Sequence, residues 1–159
     1  LGFSDVITPG PTGIVYPSLL DMPQAELMAY NPETAIAEKF EAMVKLGELN
    51  SRMKDFFDIW TLSQSRAFVG AELRAAITRT FAHRGTTLDA DAACFSAAFA
   101  ALPAKQAQWT AFLKRSGLAS EAPNQFRDVC AAVMAFLHPM LDAQADTVQW
   151  PAVGPWEPA

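Results

Sequence analysis

The sequence predicts a mainly α protein, a bundle of about six helices behind a short N-terminal β segment. Three observations carry this. From Ile36 to Leu137, apolar residues recur three and four positions apart, the period of helices with one buried face. Start and stop signals bracket those stretches: Asn31-Pro32 opens the first, and Gly47, Gly85 and Gly117 stand where three of them end. The first thirty residues lack that period and instead mix apolar and polar residues between Pro and Gly breaks. With 159 residues, 51% of them hydrophobic, the chain can enclose one core of ordinary size.

In residues 1–30, "GFSDVIT" and "IVYPSLLDMP" read as short strands separated by "TPGPTG". They carry too little apolar surface for a domain and are expected to form the edge of a larger sheet. Because Leu1 already lies inside a strand-like stretch, a truncated chain is the expectation. A helical domain over 31–145 follows. In the first helix Asn31 is the N-cap, Pro32 takes the first helical position and Glu33 suits the positive helix end. Ile36, Phe40 and Met43 are its apolar face, and Gly47 stops it. Asn50 or Ser51 caps a second helix reaching about Ser65. A third spans Ala71 to Arg84 and a fourth Ala90 to Ala101. The fifth starts at Pro103, carries Trp109, Phe112 and Leu113, and ends at Gly117. The last begins after Pro123 and stacks Phe126, Val129, Cys130, Val133, Phe136 and Leu137 on one stripe, with a bend at His138-Pro139. The Pro- and Trp-rich tail, 146–159, is expected to be irregular, and either to pack against the body or to stay disordered.

Charge and composition narrow the function. A formal net charge of −5 argues against an overall basic, nucleic-acid-gripping surface. Arg74, Arg79, Arg84, Lys114 and Arg115 could form a local basic patch but read first as solvated helix faces. Cys94 and Cys130 stand in separate helices without a Cys-x-x-Cys, which favours reduced, buried thiols and a cytoplasmic setting. His83 and His138 are isolated, so no zinc site is expected. No apolar run approaches the roughly 18 residues of a membrane span, and no signal peptide opens the chain. Gly-x-Ser-x-Gly and His-Glu-x-x-His are both missing, which removes the common hydrolase readings.

Two charges stand out of pattern. On a wheel of about 100° per residue, Lys39 falls on the flank of the Ile36–Phe40–Met43 face, while Glu38, Glu41 and Lys45 point away. In the second helix Met53, Phe56, Phe57 and Trp60 make an apolar arc that Ile59 and Leu62 extend, and Asp55 projects between the last two. Asp58 lies beside Lys54 at the i,i+4 spacing of an ordinary surface pair. A carboxylate inside an apolar arc needs a partner, a wet cleft or a raised pKa. Lys39 and Asp55 can be each other's structural partners across two helices joined by a short turn. Equally, both can face a ligand cavity, the lysine meeting phosphate and the aspartate serving as a base or holding Mg²⁺.

"ETAIAEKFEAMVKLG" followed by "NSRMKDFFDIW" resembles the two C-terminal motifs of the AbiEii/AbiGii-type nucleotidyltransferase toxins of abortive infection and type IV toxin–antitoxin systems. The matching residues are Glu38-Lys39 in the first motif and Arg52, Lys54-Asp55 and Asp58 in the second. "GFSDVITPGP", "YPSLLD" and "PAKQAQWTAFLKRSG" also resemble a bacterial branch of that family. The resemblance implies the C-terminal part of an α/β nucleotidyltransferase-fold protein that moves NMP from an NTP, with Mg²⁺, to an RNA or protein acceptor. It implies that Lys39 contacts the triphosphate, with Lys54 and Arg52 also near the nucleotide. Asp55 would orient the lysine or assist the acceptor's attack, and Asp58 would support the group. The family's glycine-serine turn followed by Asp-x-Asp does not occur here, and Asp5 stands near a later core strand that can carry a third carboxylate. This chain alone is therefore expected to be inactive, with neither metal nor nucleotide bound. The rival reading is a non-catalytic helical module that binds an antitoxin or associates with itself.

Overall fold

Asn31 opens the described part of the protein, residues 31–159 of a computed structural model. The strands and turns expected over 1–30, Asp5 among them, lie outside the described residues. Asn31 caps helix α1 (Pro32–Leu46) by accepting the Thr34 N–H at 2.8 Å. Gly47 ends it with φ of 56°, a conformation that side-chain-bearing residues rarely take. Helix α2 (Met53–Ser65) starts later than the caps suggested. Asn50 spends its side-chain oxygen on the Arg52 N–H at 2.9 Å, closing a turn before the helix instead of capping it.

A two-residue strand, β1 (Phe68–Val69), leads into α3 (Gly70–Arg84), which Gly85 closes at φ 68°. The single helix expected from Ala90 to Ala101 is instead a 3-10 turn at Ala93–Phe95 and a short helix, α4 (Ala97–Ala101). Ser96 causes the break: its hydroxyl accepts the Phe99 N–H at 3.0 Å and starts α4 afresh. Helix α5 (Pro103–Ser116) and helix α6 (Phe126–Leu137) follow, and at His138 the chain tightens into a 3-10 turn.

Helix α1 lies along α3, while α6 packs against α2, α4 and α5. All six members of the α6 stripe, from Phe126 to Leu137, are buried. Each large side chain removed from water there contributes roughly 1.5–3 kcal/mol. Phe126 meets Phe56 edge-on at 5.0 Å between ring centres, so α6 and α2 interlock at the core. Cys94 and Cys130 are free and buried among these side chains. Burial pushes their thiols up to about 11 and about 12, which keeps them protonated at neutral pH.

The tail departs from the irregular segment expected of it. Residues Val148–Trp150 form β2 and Glu157–Pro158 form β3, giving an antiparallel sheet of order β1-β2-β3. Phe68 stands opposite Trp150, and Gln149 opposite Glu157. The Trp150 ring is buried against Phe136, 4.9 Å between centres. At the end of α2, the Ser63 carbonyl accepts both the Trp150 indole N–H at 2.8 Å and the Val153 N–H at 3.0 Å. The tail is thus part of the body. Trp150→Ala is expected to lower the free energy of unfolding by about 3–5 kcal/mol in urea titrations. Exposed Gln149→Ala should change it by less than about 0.5 kcal/mol.

Candidate functional site

The turn between α1 and α2 brings Lys39 over the first two turns of α2. Its ammonium lies 2.8 Å from Asp58 Oδ2 and 3.5 Å from Asp55 Oδ1. Lys54 reaches the same Asp58 oxygen at 3.0 Å, and Arg52 Nε reaches Asp55 Oδ2 at 3.0 Å. Lys39 therefore pairs with Asp55 as the wheel allowed, but its shorter contact is to Asp58. Nor is Asp58 half of a surface pair. It is fully buried, although both of its ammonium partners keep some exposure.

Burial pushes the Asp58 carboxyl above its ordinary value, with the Lys39 and Lys54 ammonium groups pulling the other way. Its second oxygen, Oδ1, is buried without a hydrogen-bond partner among the described residues. For Lys39, burial is the largest single influence and favours loss of its proton. The attraction of Asp58 and Asp55 outweighs it, and the lysine sits above its ordinary value. Lys39 is therefore cationic at neutral pH.

Lys39, Arg52, Lys54 and Asp55 line one side of an open cleft of about 670 Å³. The other side is one face of α5: Gln108, Ala111, Phe112 and Arg115, at i, i+3, i+4 and i+7. Asp58 lies behind Lys39, off the cleft wall. Four cations stand here against two carboxylates, in a protein whose net charge is −5. Such a concentration of one sign in a concave surface draws anions toward it.

Two features of this region escaped the sequence. Lys105 is buried, and its ammonium donates to the Asn50 carbonyl at 2.6 Å while lying 5.1 Å from the Phe99 ring centre. It pins the α1–α2 turn to α5, and that turn delivers Ser51 and Arg52 to the cleft. A signal was present: Lys105 stands one helical turn before Trp109 on the stripe that buries Trp109 and Phe112. Arg115, expected on a solvated face, belongs to the cleft instead. On the far flank of α1, Glu41 is buried, not solvated, and accepts from Arg84 at 3.2 Å and from the Thr86 hydroxyl. Arg84 also lies 3.8 Å from Glu38. Helix α3 covers this flank, so Arg84 is an anchor between helices rather than a free charge.

Among the described residues, no three His, Cys, Asp or Glu side chains are grouped to hold a metal ion. Asp55 and Asp58 are both engaged by cations, so this donor set does not fit a divalent metal. The Asp-x-Asp of the sequence, Asp89-Ala90-Asp91, is an exposed turn in which Asp89 accepts the Asp91 N–H at 2.9 Å. It follows no glycine-serine turn. No described helix is long and apolar enough to cross a membrane.

Residues 1–135 match the family model described as nucleotidyl transferase AbiEii toxin, Type IV TA system, and the chain belongs to that family. Membership in a toxin–antitoxin family implies an antitoxin partner. No curated protein and no solved structure matches the chain.

The raised pKa of Lys39 has a sign that can be measured. A lysine held above its ordinary value of 10.5 contributes stability that is whole below that pH and disappears as pH climbs through the folded value. The difference in unfolding free energy between the parent and Lys39→Gln should therefore shrink as urea titrations move upward from about pH 10.5. A difference constant across that range would show that the ammonium is not held by the aspartates. Lys105→Met, which keeps the stem but cannot donate to Asn50, should cost about 1–3 kcal/mol in the same titrations.

Proposed function

We propose that this chain is the helical part of a nucleotidyltransferase toxin, and that the cleft between α2 and α5 receives the phosphates of an NTP. The observation that carries the reading is the Lys39 ammonium. It is cationic, restrained by Asp58 at 2.8 Å, and placed on the wall of a cation-rich cleft. Family membership supports the same reading.

In the reaction an acceptor hydroxyl attacks the α-phosphorus of the NTP. A new P–O bond forms, pyrophosphate leaves, and the hydroxyl proton is released. Lys39 neutralises charge on the phosphates, with Arg52 and Lys54 flanking it. Asp55 turns one oxygen to Lys39 and the other to Arg52, an arrangement that suits orienting both cations better than removing a proton. Asp58 holds Lys39 from behind. The acceptor is an RNA or a protein hydroxyl. The family implies Mg²⁺ as well, but the carboxylates described here, both engaged by cations, do not fit it. With no glycine-serine turn and following Asp-x-Asp in these 159 residues, our reading is that they are inactive alone and act with a part that carries those motifs.

Transfer from a labelled NTP by the complete polypeptide tests this. Lys39→Ala and Asp55→Ala should each reduce the rate by at least about 100-fold. Their unfolding free energies should stay within about 2 kcal/mol of the parent, because cleft water replaces the lost group and Lys54 still reaches Asp58. Glu38→Ala, off the cleft, should change the rate by less than about threefold. Parallel collapse of fold and rate in the Lys39 and Asp55 variants would make the cluster a structural ion pair and nothing more.

A further inference from the structure

The α5 wall of the cleft lies outside the motifs that carry the family resemblance, and its chemistry is distinctive. Arg115 lines the cleft and has no ion-pair partner among the described residues, whereas Lys39, Arg52 and Lys54 are each paired with a carboxylate. Among the described residues that line the cleft, its charge is the one not offset by a carboxylate. Gln108, two turns back on the same face, has no hydrogen-bond partner among the described residues for its Oε1, which is shut off from water. A buried amide oxygen without a donor is uncommon in folded proteins. Between them Ala111 leaves room at the wall, and Phe112 forms a buried apolar surface beneath. A free cation and an unmet amide, spaced along one helix over an aromatic floor, match a ligand that carries phosphate at one end and hydroxyl or amino donors at the other.

We infer that Arg115 and Gln108 form a nucleotide subsite on α5, Arg115 binding a phosphate and Gln108 accepting from a sugar hydroxyl or base amine. Rotation about the last torsion of Gln108 swings its amide toward the cleft, since that torsion is soft. Guanidinium takes two phosphate oxygens at once, which a lysine on the opposite wall cannot do. The ligand is thus held from both sides, by paired cations on α1 and α2 and by the unpaired one on α5. This inference rests on the proposed function. Its shared chemistry, a ribose joined to phosphate, can come from the NTP or from the acceptor strand of an RNA.

Equilibrium binding to the complete polypeptide tests it with three probes: an NTP, inorganic tripolyphosphate, and a 12-nucleotide single-stranded RNA. If the subsite serves the NTP, Arg115→Ala weakens NTP and tripolyphosphate by about 5- to 20-fold. Gln108→Leu then weakens the NTP alone, because tripolyphosphate has no hydroxyl or amine to offer. If it serves the acceptor, both variants weaken the RNA by a similar factor and leave tripolyphosphate unchanged. In either case Arg115→Ala lowers the slope of log affinity against log salt by about one for the affected probe, a change that mere loss of packing does not produce. Arg115→Lys restores the salt slope but only part of the affinity. Binding of all three probes within twofold of the parent in both α5 variants, while Lys39→Ala still loses tripolyphosphate, would overturn the α5 subsite and leave the cleft reading standing. Tripolyphosphate binding untouched in Lys39→Ala as well would overturn both.

Discussion

One buried oxygen, Asp58 Oδ2, accepts two ammonium groups, Lys39 from α1 at 2.8 Å and Lys54 from its own helix at 3.0 Å. The site is organised around that contact. A carboxylate so far from water is costly to ionise, and the two ammonium groups together offset that cost. The contact therefore sets how α1 lies against α2. It also fixes Lys39 with its ammonium near the cleft, close enough to Asp55 for that second acid to share it. Buried ion pairs often add little to stability, and the value of this one lies in restricting where a single charge can be.

Helix α5 completes the arrangement from the other side. Lys105 ties the turn before α2 to α5, so the two cleft walls are coupled through a hydrogen bond of 2.6 Å to the Asn50 carbonyl. The aromatic layer beneath does the same by packing: Phe112 touches Phe57, with 5.8 Å between ring centres, and Trp109 lies tilted against it. A cleft lined by mobile charges would lose much of its selectivity to side-chain entropy. Here the charges sit on helices whose apolar faces pack together through Phe57, Phe112 and Trp109.

Much of this was legible in the sequence because it is local. Asn31, Pro32, Gly47, Gly85, Gly117 and the α6 stripe act within one or two turns of themselves, and the helix boundaries they mark are close to those observed. Lys39 and Asp55 were legible for the same reason, since each breaks the pattern of its own helix. What failed depends on neighbours. Glu41 looks solvated on the wheel of α1, and only the arrival of α3 buries it with Arg84. Asp58 looks like half of an i,i+4 surface pair until Lys39 closes over it. Lys105 is a charge on an apolar stripe and was detectable on that ground, but its acceptor is a carbonyl 55 positions away. The tail strands were invisible because β1 and β2 are very short and far apart in sequence.

Helix α2 is gripped at both ends. Its first turns hold Asp55 and Asp58 against Lys39, and its last carbonyls, at Ser63, are fastened by Trp150 and Val153 of the closing strands. At 1.5 Å per residue, Asp55 and Ser63 are separated by a stiff rod of only about 12 Å. A shift of the closing strands at Trp150 and Val153 is thus passed along one short helix toward the aspartates.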